Sequence, residues 1–227
     1  KSDIFIHTHN NYLDDKNLDA QIINHPISEA DVNKGLLTWL SRPIMEKQKN
    51  NYDYFMYLEH DIKFSENNLQ YLYKYEEFLN EKKFHLGFLV YEINHNDNKK
   101  YSIHLTKRLH KFIEINSKKF FINDFENYCC FWIYNQKIFK SFIETKWWKF
   151  KEKPSNFRHH YGFTERSSIG YHALNINFFK TTLLPETDNK PEPGCFVEHM
   201  TNNYFEKFTA SDKKKYYDIR AVCKYDS

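Results

Sequence analysis

Residues 52–62 read YDYFMYLEHDI, and the join between the two halves of this stretch decides the fold class. The five side chains from Tyr54 to Leu58 are all apolar or aromatic and call for a buried β-strand. Glu59, His60 and Asp61 follow at once, although burying ionised groups is costly unless they are paired or hold a metal. On an ideal strand side chains alternate faces, so Glu59 and Asp61 share one face and His60 takes the other. Open α/β sheets bind ligands at the carboxyl edge of their strands. Two carboxylates on one face of such an edge form a hard-oxygen site suited to Mg²⁺ or Mn²⁺, with positions left for substrate phosphates. The same spacing is also common where an ordinary strand simply reaches the surface.

Working outward, DIFIHTH (3–9) and AQIINHP (20–26) read as two strands, and Ser28 to Asn51 as a helical stretch that Pro43 should kink. Downstream, a helix is expected over Glu66–Lys82, with an apolar stripe of Leu69, Leu72, Tyr73 and Leu79. HLGFLVYEIN (85–94) reads as a strand buried on both faces, and YSIHLTKR (101–108) as its hairpin-like return. KFIEINSKKFFI (111–122) alternates, CCFWIYN (129–135) is a buried strand, and helices are expected over Gln136–Lys146 and from Thr164. TTLLP and CFVEHM (195–200) close the strand series before a lysine-rich helical tail over about residues 205–227. Strands alternating with helices early and with hairpins later predict one α/β domain with a mixed, mostly parallel sheet flanked by helices. Such a domain can be part of a longer protein.

The 227 residues include 17 Tyr and 21 Phe but only 5 Gly, a bias that AT-rich coding produces, so single aromatics and lysines carry little functional signal. A formal charge of +3 is too small to argue for nucleic acid. No apolar run approaches the roughly 20 residues of a membrane span, and no signal-peptide pattern is visible. Cys129, Cys130, Cys195 and Cys223 lack C-x-x-C spacing, which points to reduced thiols and a cytoplasmic setting.

YDYFMYLEHDI, together with KGLLTWLSRPIM (34–45), YCCFWIYNQKIFKSFI (128–143), FTERSSIGYHALN (163–175) and CFVEHMTNNY (195–204), resembles the GT-A glycosyltransferases, in particular a diverse microbial, viral and plant group. Of these, the E-x-D and H-x-x-N-N-Y pieces are the distinctive ones, and His60 stands where the family more often has Asp. The resemblance implies a Rossmann-type GT-A fold and a nucleotide-sugar donor, UDP-linked by preference, with Mn²⁺ or Mg²⁺ as cofactor and a glycan hydroxyl as acceptor. A cytoplasmic location follows, host cytoplasm for a viral member, with membrane association only through the acceptor.

Under that resemblance Asp61 is a direct metal ligand, Glu59 binds the metal through water or contacts the ribose, and His199 is a distant third ligand. His60 would contact the sugar or ribose. His7, Thr8, His9 and Asn10 sit where the first strand's end holds the nucleoside, and Lys34 and Arg42 could reach base or phosphates, although both also read as solvated helix charges. Glu165, at a helix start, is the candidate general base of an inverting transfer, and Arg166 binds phosphate or pairs with a carboxylate. Trp147 and Trp148 could stack on sugar rings. Two rival readings stay open: a metal hydrolase using His7 and His9 as an H-x-H pair, and a non-catalytic carbohydrate- or protein-binding module.

Overall fold

The computed structural model describes residues 2–9, 19–105, 107–124, 127–149, 162–170, 179–201, 204 and 216–223. In chain order it contains β1 (Phe5–Thr8), β2 (Gln21–Asn24), α1 (Glu29–Asn33), a 3-10 turn (Leu36–Trp39), α2 (Ser41–Lys47), β3 (Tyr54–Leu58) and β4 (Ile62–Lys63). There follow α3 (Glu66–Glu81), β5 (His85–Leu86), β6 (Leu89–Asn94), β7 (Lys99–Ser102), β8 (Phe112–Ile115), β9 (Lys118–Asn123), β10 (Phe131–Asn135) and α4 (Gln136–Ile143). The last elements are α5 (Glu165–Ser168), β11 (Thr182–Thr187), β12 (Lys190–Pro191), β13 (Phe196–His199) and β14 (Tyr217–Asp218). The protein is thus mixed α/β. None of the described helices is long and apolar enough to cross a membrane.

The chain divides into two compact units, residues 1–57 with 132–168 and residues 58–131 with 169–227. In the first, β1 and β2 pair in parallel from Phe5↔Gln21 to Thr8↔Asn24. Ser28 caps α1 by accepting the Asp31 N–H at 3.2 Å. The helical stretch expected from Ser28 to Asn51 is interrupted at Gly35 rather than at Pro43. Gly35 has φ +81°, and a Cβ there would lie 2.2 Å from Thr164 Oγ1, so neither the turn nor the approach of Thr164 tolerates a side chain. Pro43 falls in the first turn of α2, where a missing N–H breaks no helical bond. The core of this unit is aromatic: Phe55 stacks on Phe139 at 4.0 Å, and Trp132 and Phe142 pack edge-on against Trp148. Trp148 is 2% exposed, which removes it from any sugar-stacking surface.

The second unit carries two five-stranded sheets, in the orders β12-β11-β9-β8, with β5 also on β11, and β14-β7-β6-β13-β4. HLGFLVYEIN does not run as one strand. Its first two residues pair β11 in parallel, and its last six form β6, which pairs β13 in parallel through Leu89–Tyr91, so one segment serves both sheets. The changeover is at Gly87, whose added Cβ would meet Thr182 Cγ2 at 2.7 Å. Helix α3 starts with a capping box between Ser65 and Asn68. The Asn68 side-chain amide also donates to the carbonyls of Gly194 and Phe196, at 2.8 and 2.9 Å, tying the helix to the start of β13.

Parallel pairing occurs in β1–β2, β5–β11 and β6–β13, whereas β4–β13, β6–β7, β7–β14, β8–β9, β9–β11 and β11–β12 are antiparallel. Among the described residues the sheets are therefore mixed, and the pairings of the second unit are mostly antiparallel, because hairpins supply many of them. Of the expected C-terminal helical tail, residues 205–215 and 224–227 lie outside the described residues. Residues 216–223 form β14 and a 3-10 turn (Ile219–Ala221) instead of a helix.

Candidate metal centre

Strand β3 ends at Leu58, and Glu59, His60 and Asp61 form a turn closed by the Ile62 N–H on the Glu59 carbonyl at 3.1 Å. The strict alternation expected of a strand therefore does not apply to these residues. Asp61 instead takes its place from the sheet that begins one residue later.

That sheet sets β13 between β6 and β4. Glu198 is opposite Tyr91 on one side, and His199 is opposite Ile62 on the other. One step further along, Glu92 lies beside His199, and the Met200 N–H bonds the Asp61 carbonyl at 2.8 Å. The register thus sets His199 beside Glu92 on one side and one residue from Asp61, at the turn into β4, on the other. His199 Nδ1 is 2.7 Å from Glu92 Oε1, and His199 Nε2 is 3.2 Å from Asp61 Oδ2. Glu92 is 0% and His199 3% exposed.

With a carboxylate oxygen at each ring nitrogen, both nitrogens donate and His199 is an imidazolium. Burial alone would discharge it, but the hydrogen bonds and charges of Asp61 and Glu92 outweigh that and raise its pKa to about 9. The hydrogen bond from His199 holds Asp61 below the ordinary carboxylate value, against the opposing effect of burial.

Asp61 Oδ1 is buried and has no hydrogen-bond partner. An orphaned carboxylate oxygen next to an imidazole nitrogen suits a divalent cation, because O and N donors both bind Mn²⁺ and the carboxylate supplies charge. Asp61 Oδ1 would hold it together with His199 Nε2, once the cation has displaced the proton that Nε2 now donates to Asp61 Oδ2. Among the described residues no group of three His, Cys, Asp or Glu side chains is arranged to hold a metal, since Glu92 addresses the far nitrogen of His199. Remaining positions would fall to water and substrate oxygens.

Glu59 is placed differently. Its carboxylate accepts the Tyr128 hydroxyl at 3.3 Å, and its N–H bonds the Cys130 carbonyl. Rings connect this residue to the histidine: Tyr128 meets His104 edge-on at 5.2 Å, His104 meets Tyr204 at 5.8 Å, and Tyr204 packs on His199 at 5.3 Å. Cys130 itself has φ +60°, a conformation that strains a side-chain-bearing residue. Burial, and then the Glu59 charge, push its thiol well above the ordinary value, so it stays protonated. All four cysteines are free thiols. His60 is exposed at the turn.

The other expected residues, His7, Thr8, His9, Lys34, Arg42, Glu165 and Arg166, belong to the first unit, and Asn10 lies outside the described residues. Thr8 and His9 are half-buried at and just past the end of β1. Lys34 makes an exposed pair with Asp31 at 3.9 Å, worth little. Glu165 is half-buried, with Oε2 folded over Gly162, where an added Cβ would meet it at 2.3 Å. Arg166 is buried, its guanidinium 5.7 Å from the Phe163 ring.

Arg42 has an architectural position rather than a ligand-facing one. It is 3% exposed, lies between the Trp39 and Trp148 rings, and donates to the carbonyls of Trp147, Trp148, Arg166 and Ser167. Of the rings around it only Trp39 is a sequence neighbour, and Phe142 and Trp148 come from far along the chain.

His7 has a partner that spacing does not reveal: its Nδ1 is 2.9 Å from His25 Nε2, where β1 and β2 end side by side. Burial first, and the His25 charge second, lower the His7 pKa from 6.5 to about 4. The unfolded chain therefore binds the extra proton between pH 6.5 and 4, and stability falls as pH drops through that window and levels off below it. The half-buried ring discounts the effect to about 1–2 kcal/mol. Urea unfolding at pH 7 and 4.5 should show His7→Gln losing less stability on acidification than the wild type. Equal losses would remove the neutral pair as the cause.

Sequence reasoning missed Glu92 and the ring wall of Tyr128, His104 and Tyr204. A signal for Glu92 was present, since a carboxylate in the otherwise apolar strand LVYEIN needs a buried partner. Compared with protein-family models, curated proteins and solved structures, the chain gives no match in any of the three.

Proposed function

We propose that the protein is a metal-dependent glycosyltransferase of GT-A type, with the Rossmann-like sheet arrangement of that class. It transfers a sugar from a nucleotide sugar, UDP-linked by preference, to a hydroxyl of a glycan acceptor with inversion. The observation that carries this reading is the convergence of Asp61 and His199, distant in sequence, with Asp61 Oδ1 left unpartnered. The parallel β1–β2 pair at the N-terminal end and the E-x-D turn directly after a strand support it further.

A divalent cation at this centre supplies Lewis-acid neutralisation of the charge on the departing diphosphate. Asp61 would offer one charged oxygen and His199 one nitrogen to the cation, and Glu59, which accepts the Tyr128 hydroxyl, would contact the cation through water or the donor ribose. In an inverting transfer a base takes the acceptor hydroxyl's proton as the new glycosidic C–O bond forms and the bond from sugar carbon to phosphate oxygen breaks.

The test is calorimetry with nucleoside diphosphates in the presence and absence of Mn²⁺, followed by a hydrolysis screen of nucleotide sugars. Mn²⁺-dependent binding with slow sugar release is expected. Binding without sugar release or transfer would favour a carbohydrate- or protein-binding module, and no binding of any nucleotide overturns the transferase.

A further inference from the structure

We infer that Glu92 is a positioning residue that fixes the ring of His199 for metal binding, an inference resting on the metal centre proposed above. Glu92 is wholly buried, on the strand next to His199, and its Oε1 accepts from both His199 Nδ1 at 2.7 Å and the Tyr204 N–H at 3.1 Å. A carboxylate withdrawn from water in this way is costly unless its partners are fixed and charge-matched.

The two bonds do complementary work. The first assigns the remaining proton to Nδ1 when Nε2 faces a cation, so the nitrogen beside Asp61 carries the lone pair. The second holds the Tyr204 N–H on the same carboxylate, with the Tyr204 ring against the imidazole at 5.3 Å. The ring is thus held in orientation by a hydrogen bond along its plane and by an aromatic side chain packed at a tilt against it. Glu92 does not bind the metal itself, because it meets the histidine on the opposite nitrogen. A carboxylate behind a ligating histidine raises the basicity of that ligand, and its loss typically weakens metal binding about 10–100-fold.

The test titrates Mn²⁺ alone into the wild-type chain and into Glu92→Gln, an isosteric change that removes the charge. The inference expects wild-type binding and a Glu92→Gln dissociation constant raised about 10–100-fold. A variant that melts at a lower temperature yet binds Mn²⁺ within about threefold of the wild type shows a merely structural carboxylate and overturns the inference, leaving the metal centre intact. No binding by the wild type overturns the metal centre itself. A second measurement needs no variant: long-range ¹H–¹⁵N spectra of the wild type with saturating Mg²⁺. Protonated Nδ1 with unprotonated Nε2 at His199 supports the assignment, and a proton retained on Nε2 overturns it.

Discussion

Replacing Asp61 with alanine is expected to lower Mn²⁺-dependent sugar transfer by on the order of 1,000-fold or more while leaving the protein folded. The separation of the two effects follows from charge balance. His199 stands between two carboxylates, so removing Asp61 leaves one imidazolium facing one buried carboxylate, a neutral pair. The unpartnered Oδ1 disappears with the side chain, and the His199 Nε2–H that loses its carboxylate keeps the Thr201 hydroxyl within 3.4 Å. His199→Ala behaves in the opposite sense. It strands the fully buried Glu92 without its hydrogen-bonded cation, and breaking such a pair costs about 3–5 kcal/mol. Steady-state transfer assays with thermal melts of both variants separate these expectations. An Asp61→Ala protein that transfers sugar at the wild-type rate would remove the metal centre from the mechanism.

Arg42→Ala is expected to destabilise the first unit by about 3–5 kcal/mol, enough to unfold a marginal domain. The change removes the donor for the carbonyls of Trp147, Trp148, Arg166 and Ser167, and opens a cavity between the Trp39 and Trp148 rings. No carboxylate is bonded to this guanidinium among the described contacts, and burial lowers its pKa to about 9 despite the opposing influence of Tyr57 and Tyr134. Lysine restores the charge but not the planar fork, so Arg42→Lys should recover only part of the loss. Denaturant unfolding measures both. If Arg42 served a phosphate instead, Arg42→Ala would raise KM for the nucleotide sugar and leave the unfolding midpoint unchanged.

These two residues also mark the limits of reading the chain without its fold. Asp61 stands out in the sequence because three local features coincide: an apolar strand, its abrupt end, and carboxylates at the exit. Arg42 looked similar, a cation amid apolar residues next to a proline. Local sequence cannot say whether such a cation faces a ligand or four carbonyls, because those carbonyls come from Trp147, Trp148, Arg166 and Ser167, far along the chain. Glu59 shows a smaller failure of the same kind. Alternation placed it with Asp61, but the strand ends at Leu58, and the turn sends one carboxylate to His199 and the other to Tyr128.

By itself, then, the sequence determined the elements whose signals are local. Helix α3 follows from its apolar stripe, β9 from its alternation, β6 and β10 from apolar runs, and the end of β3 from the charged residues that follow such a run. Tertiary structure alone decided strand direction, the splitting of residues 85–94 between two sheets at Gly87, and the alignment of Glu92, His199 and Asp61. The physical reason is that these depend on pairing register. Register is a relation between strands far apart in the chain, and a shift of one residue would turn every side chain on β13 to the opposite face and leave Glu92 and Asp61 without the imidazole between them.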